Sequence, residues 1–305
     1  MIEKAAMTKL EGVYTVLPTP LDENGQFDSE SLGRAIDLFI EDGVSGFIAL
    51  GVTSEVARIS DRERQTILEA SMEHVRGRVP VIVGATGPGL DTCLDYCRAA
   101  REAGAAGVMV SPPRMEKLNS DYLRRHFSAI ADKFDFPIVI QDFPPISGYH
   151  MEASLLVDIC REVPTARTIK LEDAPTPYKT ARIRELESRI GIDIVIFGGL
   201  GGGYLIEELI AGANGAMTGF AYPKILVEIV SKWNAGKKDE AADFFYRHCP
   251  LMRFEFQPGI GMAIRKEMLK RRGALRHAGI RAPGALLDDP TREALERVLK
   301  WLGMA

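Results

Sequence analysis

Residues 80–111 decide the fold: Pro80-Val81-Ile82-Val83-Gly84-Ala85-Thr86, then the helical run LDTCLDYCRAAREA over 90–103, then Gly104, then Gly107-Val108-Met109-Val110-Ser111. The first segment is a continuous apolar run without alternation, which is how a strand covered on both faces reads. The second is closed by a glycine, a common helix stop. The third is another apolar run, halted by Pro112 and Pro113. Strand, helix, strand in this order predicts a parallel pair joined by a crossover helix.

The same unit repeats in both directions. Strands are predicted over Gly12–Leu21, Gly46–Leu50, Pro137–Gln141, Ala166–Glu172, Ile192–Phe197 and Gly215–Phe220. Helices are predicted over Ser29–Glu41, Ser60–Arg76, Ser120–Lys133, Glu152–Glu162, Pro177–Glu187, Tyr204–Ala211 and Pro223–Ala235. Ser60 with Glu63 three residues later reads as a capping box. Eight strand–helix units predict an α/β fold, a closed (β/α)8 TIM barrel, over residues 10–235. An open doubly wound sheet needs no such eightfold regularity. After Gly236 only helices are predicted: Asp239–Arg253, Gly261–Arg272 and Thr291–Leu302. Residues 236–305 therefore read as a C-terminal helical extension packed on the barrel.

Composition excludes several classes. The 305 residues are 46% hydrophobic and carry a formal charge of −4, so no strong positive field favours nucleic acid or an anionic membrane. The basic cluster Lys266–Lys270–Arg271–Arg272 reads as a solvated helix face or a subunit contact. No apolar stretch is long enough to span a bilayer, and Met1–Glu11 does not read as a secretory signal. The four cysteines read as buried small hydrophobes, which suits a cytoplasmic setting. The five scattered histidines lack ligand spacing, so no metal is expected.

In this architecture the chemistry sits where the strands end. Lys170 lies inside a run otherwise suited to a barrel strand. Alternation puts Thr168, Lys170 and Glu172 on one face and the apolar Ile169 and Leu171 on the other. Burial disfavours an ammonium, and a neutral amine attacks a carbonyl to form a Schiff base. Glu172 beside it is placed to move protons. A Lys–Glu pair on the barrel rim fits the same pattern. Gln141 ends strand five on the inward face, either as a hydrogen-bonding group for substrate or as a polar strand cap. The turn Gly51-Val52-Thr53-Ser54-Glu55 offers consecutive N–H groups and two hydroxyls to a carboxylate, or is an ordinary strand-to-helix turn. The run Gly198-Gly199-Leu200-Gly201-Gly202-Gly203 either cradles a phosphate or makes room for substrate, and it lacks the ending of a P-loop.

Together these residues resemble the dihydrodipicolinate synthase / N-acetylneuraminate lyase family of class I Schiff-base aldolases. The resemblance runs from about Gly12 to the C-terminus. It rests on Val16-Leu17-Pro18-Thr19-Pro20, on Gly51–Glu55 in place of Gly-Thr-Thr-Gly-Glu, on Ile169-Lys170, and on Gly212-Ala213-Asn214-Gly215. It implies a Schiff base on Lys170 with a 2-keto acid, and a substrate carboxylate held at Val52 and Thr53, with Ser54 in the same turn. It implies no cofactor beyond the covalent lysine adduct, and a cytoplasmic homotetramer built as a dimer of dimers. Gly199, Thr218 and Arg114 are further substrate-binding candidates at the ends of strands seven, eight and four.

The departures are informative. Where the family has Tyr-Asn-x-Pro, this chain has Gln141-Asp142-Phe143-Pro144, so the proton-shuttling phenol is absent. Near the position of the synthases' arginine stands Ile146, the strand-four tyrosine is replaced by Pro113-Arg114, and the first threonine of the turn is Val52. Gln-Asp-x-Pro, Lys170-x-Glu172 and the Gly212–Gly219 segment resemble the L-2-keto-3-deoxyarabonate dehydratase branch. The expected function is a lyase, a dehydratase or aldolase on a 2-keto-3-deoxy sugar acid. Alternatives are 4-hydroxy-tetrahydrodipicolinate synthase, a non-catalytic 2-keto-acid-binding barrel, and, on the glycine loop alone, a phosphosugar enzyme.

Overall fold

The computed structural model of the chain describes residues 10–304. The reading of Met1–Glu11 as no secretory signal therefore falls almost entirely outside the described residues. Eight parallel strands close in chain order: β1 (Gly12–Val16), β2 (Gly46–Ala49), β3 (Val81–Gly84), β4 (Gly107–Val110), β5 (Ile138–Asp142), β6 (Thr168–Leu171), β7 (Val195–Gly198) and β8 (Gly215–Thr218), with β8 pairing β1. The helices between them are α1 (Ser29–Glu41), α2 (Asp61–Val75), α3 (Leu90–Glu102), α4 (Ser120–Lys133), α5 (Pro144–Ser147), α6 (Ala153–Glu162), α7 (Thr176–Ile190), α8 (Leu205–Ile210) and α9 (Pro223–Asn234). The predicted (β/α)8 barrel is thus the observed fold. Beyond it run α10 (Lys238–Glu255), α11 (Gly261–Arg271) and α12 (Asp289–Trp301).

The strands are shorter than the apolar runs suggest. β1 stops at Val16 rather than Leu21, because Pro18 and Pro20 have no N–H to donate to a ladder. The short α5 has no counterpart among the predicted elements. Pro144 and Pro145 end strand five and also open this turn, where a missing N–H costs nothing. Ser60 caps α2 by accepting from the Glu63 N–H, but the reciprocal half of the predicted box is absent. The Glu63 carboxylate instead bonds the Arg281 guanidinium.

Closure depends on close backbone approach. A Cβ on Gly215 would overlap the Gly12 carbonyl of β1, so the β8–β1 seam requires glycine there. Asn214 holds the neighbouring seam: its Oδ1 accepts from the Ile196 N–H of β7 and from Arg184.

Side chains alternate between two cores. An interior cluster includes Ile48, Ile82, Met109, Val139, Phe197 and Met217. The larger cluster lies between the strands and the helices and includes Ile36, Phe47, Phe127, Leu156 and Ile169. Cys93, Cys97 and Cys160 are buried as expected, whereas Cys249 is partly exposed.

The C-terminal helices differ from expectation in one respect. Lys266, expected on a solvated helix face or at a subunit contact, is buried within the chain, and its Nζ lies 2.5 Å from the Glu55 carboxylate. Arg272 makes two hydrogen bonds to Asp42, at 2.9 and 3.0 Å. Only Lys270 and Arg271 of the cluster are exposed. Charge type alone does not reveal which side of a helix meets a buried carboxylate. No helix among the described residues is long and apolar enough to cross a membrane.

Candidate active site

The interior side chains stack in layers drawn from alternate strands. Met109 of β4, Lys170 of β6 and Met217 of β8 share one layer. Two residues further toward the C-terminal ends, Ser111, Glu172 and Gly219 occupy the next. The paired register Gln141↔Lys170 brings Gln141 of β5 alongside.

These residues form a continuous polar row. Lys170 Nζ lies 3.1 Å from Glu172 Oε2, and the same oxygen accepts from Gln141 Nε2 at 2.7 Å. Gln141 Oε1 accepts from the Ser111 hydroxyl at 3.0 Å. The Ser111 N–H in turn donates to Thr86 Oγ1 at 2.9 Å. Lys170 is 4% exposed, Gln141 2% and Glu172 8%. Polar groups this deep need partners, and here each has one. The alternation argument that puts Lys170 and Glu172 inside therefore agrees with the geometry. Sequence reasoning missed Ser111. The signal was available, since it lies two residues beyond the inward Met109.

Behind the row, Asp142 points away from the interior. Its Oδ2 lies 2.5 Å from Lys179 Nζ, which also contacts Asp173 at 2.8 Å. Burial pushes the Asp142 carboxyl up to about 6, against the pull of Lys179. Asp173 also meets His150 Nδ1 at 2.9 Å. This network braces the segment that carries Glu172.

The turn after β2 is a single helical turn, Val52–Ser54, followed by Glu55 in the left-handed conformation with φ of 63°. The Ser54 hydroxyl is spent on the backbone: it donates to the Leu17 carbonyl at 2.6 Å and accepts from the Gly51 N–H at 3.1 Å. Thr53 Oγ1 is buried without a hydrogen-bond partner among the described residues. The N–H groups of Val52 and Thr53 open the turn, where a helical turn has no acceptor of its own to offer them. Glu55 anchors the turn through Lys266 and through the Arg281 N–H, which donates to it at 2.8 Å.

Gly199 makes room: a Cβ there would overlap the Glu172 side chain. Thr218 Oγ1 accepts from the Gly201 N–H at 3.0 Å, tying together the loops after β7 and β8. Arg114 is exposed in the loop after β4 and is not drawn into the buried row. Among the described residues no group of three or more His, Cys, Asp or Glu is placed to hold a metal ion.

Glu208 is a buried carboxyl that sequence reasoning also missed. It is 1% exposed, accepts from Thr176 Oγ1 at 2.5 Å, and packs where a Gly198 side chain would go. Burial pushes it up to about 8. A carboxyl raised above its unfolded value holds its proton in the folded state. Its contribution to stability is therefore full below about pH 4.5 and is lost as pH rises through about 8. Glu208→Gln is expected to match the wild-type melting temperature at pH 5 and to exceed it at pH 9. Equal melting temperatures at pH 9 would show that the carboxyl ionises there without cost.

A buried lysine bonded to a buried carboxylate lies at the mouth of an eightfold barrel, the end at which enzymes of this architecture carry their active sites. The chain belongs to the dihydrodipicolinate synthetase family, whose model matches residues 9–302, and it is a lyase of the class I type. It is 31% identical over 296 residues to L-2-keto-3-deoxyarabonate dehydratase of Azospirillum brasilense, covering 95% of this chain and 94% of that one. It is 32% identical over 250 residues to 4-hydroxy-tetrahydrodipicolinate synthase of Methanococcus maripaludis, covering 81% and 83%. The crystal structure of dihydrodipicolinate synthase from Rhodopseudomonas palustris superposes with a TM-score of 0.90 at 32% identity, covering 96% and 97%.

Proposed function

We propose that this lyase dehydrates a 2-keto-3-deoxy sugar acid through a Schiff base on Lys170. The observation that carries the reading is the Ser111–Gln141–Glu172–Lys170 row, in which an amide and a carboxylate stand beside the lysine, with glutamine at the position of the family's tyrosine. The turn at Val52 and Thr53 receives the substrate carboxylate, with the unpartnered Thr53 hydroxyl as a further donor. The Lys170 amine adds to the C2 ketone and water leaves, giving an imine that acidifies C3. Glu172 removes a C3 proton, the C3–C4 double bond forms, and the C4 hydroxyl departs with a proton as water. Hydrolysis of the imine frees the lysine. Gln141 is fixed by Ser111 so that its amide donates toward Glu172. The reading requires no metal or dissociable cofactor, and includes a cytoplasmic homotetramer.

The second reading, 4-hydroxy-tetrahydrodipicolinate synthase, rests on relatives of that name. One panel separates the two. The enzyme is assayed for water loss from 4,5-dihydroxy-2-oxopentanoate and its six-carbon homologue, and for consumption of aspartate semialdehyde with pyruvate. Dehydration of the hydroxy acids, with aspartate semialdehyde untouched, is expected. Condensation without dehydration would overturn the proposal.

A further inference from the structure

Arg265 reaches the mouth layer of the barrel from the C-terminal extension. It lies on α11 and is 6% exposed. Its Nε donates to Glu255 Oε1 at 2.6 Å, and its Nη2 donates to the Gly219 carbonyl. Its Nη1 is buried without a hydrogen-bond partner among the described residues. Gly219 lies two residues beyond the interior Met217, so its missing side chain is the inward one of β8 in the layer that holds Glu172 and Ser111. A Cβ on Gly219 would overlap the Arg265 guanidinium. The guanidinium therefore fills the place of an inward β8 side chain, two strands from Glu172.

An N–H buried in a functional cleft without an acceptor is costly unless a ligand supplies one. Glu255 balances the guanidinium charge, and its other oxygen accepts from the Ala221 N–H at 2.9 Å. The pair as a whole is neutral, which suits a hydroxyl acceptor better than a second carboxylate. A 2-keto acid bound to Lys170 at C2, with C3 toward Glu172, directs its tail across this layer.

We propose that Arg265 is a specificity-determining residue whose Nη1 donates to a tail hydroxyl of the substrate beyond C4. The inference rests on the proposed sugar-acid reading. The test compares two substrates that both carry the C4 hydroxyl: 4,5-dihydroxy-2-oxopentanoate, and 4-hydroxy-2-oxopentanoate, which lacks the tail hydroxyl. Wild type is expected to favour the first in kcat/KM by about tenfold to a hundredfold, the value of one buried hydrogen bond. Arg265→Lys keeps the charge opposite Glu255 and removes Nη1, and is expected to abolish most of that preference. If that variant does not fold, Arg265→Met with Glu255→Gln, which leaves no buried charge unpaired, reads the same ratio. A ratio unchanged from wild type overturns the role of Arg265 while leaving the dehydratase reading intact. If wild type dehydrates neither acid yet forms a borohydride-trapped adduct with pyruvate, the sugar-acid reading fails and this inference with it.

Discussion

Lys170→Ala is expected to abolish the borohydride-trapped adduct with any 2-keto acid and to lower turnover by at least about 10⁴-fold, since no other group replaces a lost covalent nucleophile. In the proposed reading Lys170 is the reacting amine. It is 4% exposed, sits on the inward face of β6, and shares its layer with apolar methionines rather than with other cations. Its charged partner is Glu172, at 3.1 Å. The contrast with Glu172→Gln separates their roles. That variant keeps the amine, so an adduct with pyruvate remains trappable, while dehydration falls by about 10²- to 10⁴-fold through loss of the general base. Intact mass after borohydride reduction reads the first property, and product absorbance the second. An adduct that persists in Lys170→Ala would move the Schiff base to another lysine and remove the basis of the mechanism.

The second large effect concerns stability. Lys266→Met is expected to cost about 3–5 kcal/mol, because it leaves the Glu55 carboxylate buried and without its cation. Both partners are almost wholly enclosed, with Lys266 2% and Glu55 3% exposed. The Arg281 N–H remains on Glu55 Oε2, and the half-buried Arg58 lies 3.5 Å from that same oxygen, too long to replace the 2.5 Å ammonium contact to Oε1. The pair also joins α11 to the Val52–Ser54 turn, so a rise in KM should accompany the loss of stability. Adding Glu55→Gln to Lys266→Met removes the stranded charge and should restore much of the stability. Denaturant unfolding of the single and double variants measures this. A single-variant loss under about 1 kcal/mol would mean that water reaches Glu55, against its burial.

The buried polar row of the candidate site is legible in the sequence because it depends on local rules. Strand alternation alone puts Lys170, Glu172 and Gln141 inward, and all three stand within one hydrogen-bonded row. The eightfold barrel follows equally from repetition, since each covered apolar run demands a helix on its outer face. Strand ends are less legible where proline changes the local geometry, as at Val16 and in α5.

What tertiary structure decided was pairing between segments far apart in sequence. Ser54, expected to meet substrate, has its hydroxyl engaged by the Leu17 carbonyl, 37 residues earlier in the chain. Arg114, a substrate-binding candidate from the sequence, lies exposed in the loop after β4. Lys266, which reads as part of a solvated helix face or a subunit contact, turns inward to Glu55, and its neighbour Arg265 turns to Glu255. Alternation along a strand is a property of neighbouring residues and so is written in the sequence itself. Which buried carboxylate a helix offers its cations to depends on how the whole extension lies across the barrel mouth, and only packing sets that.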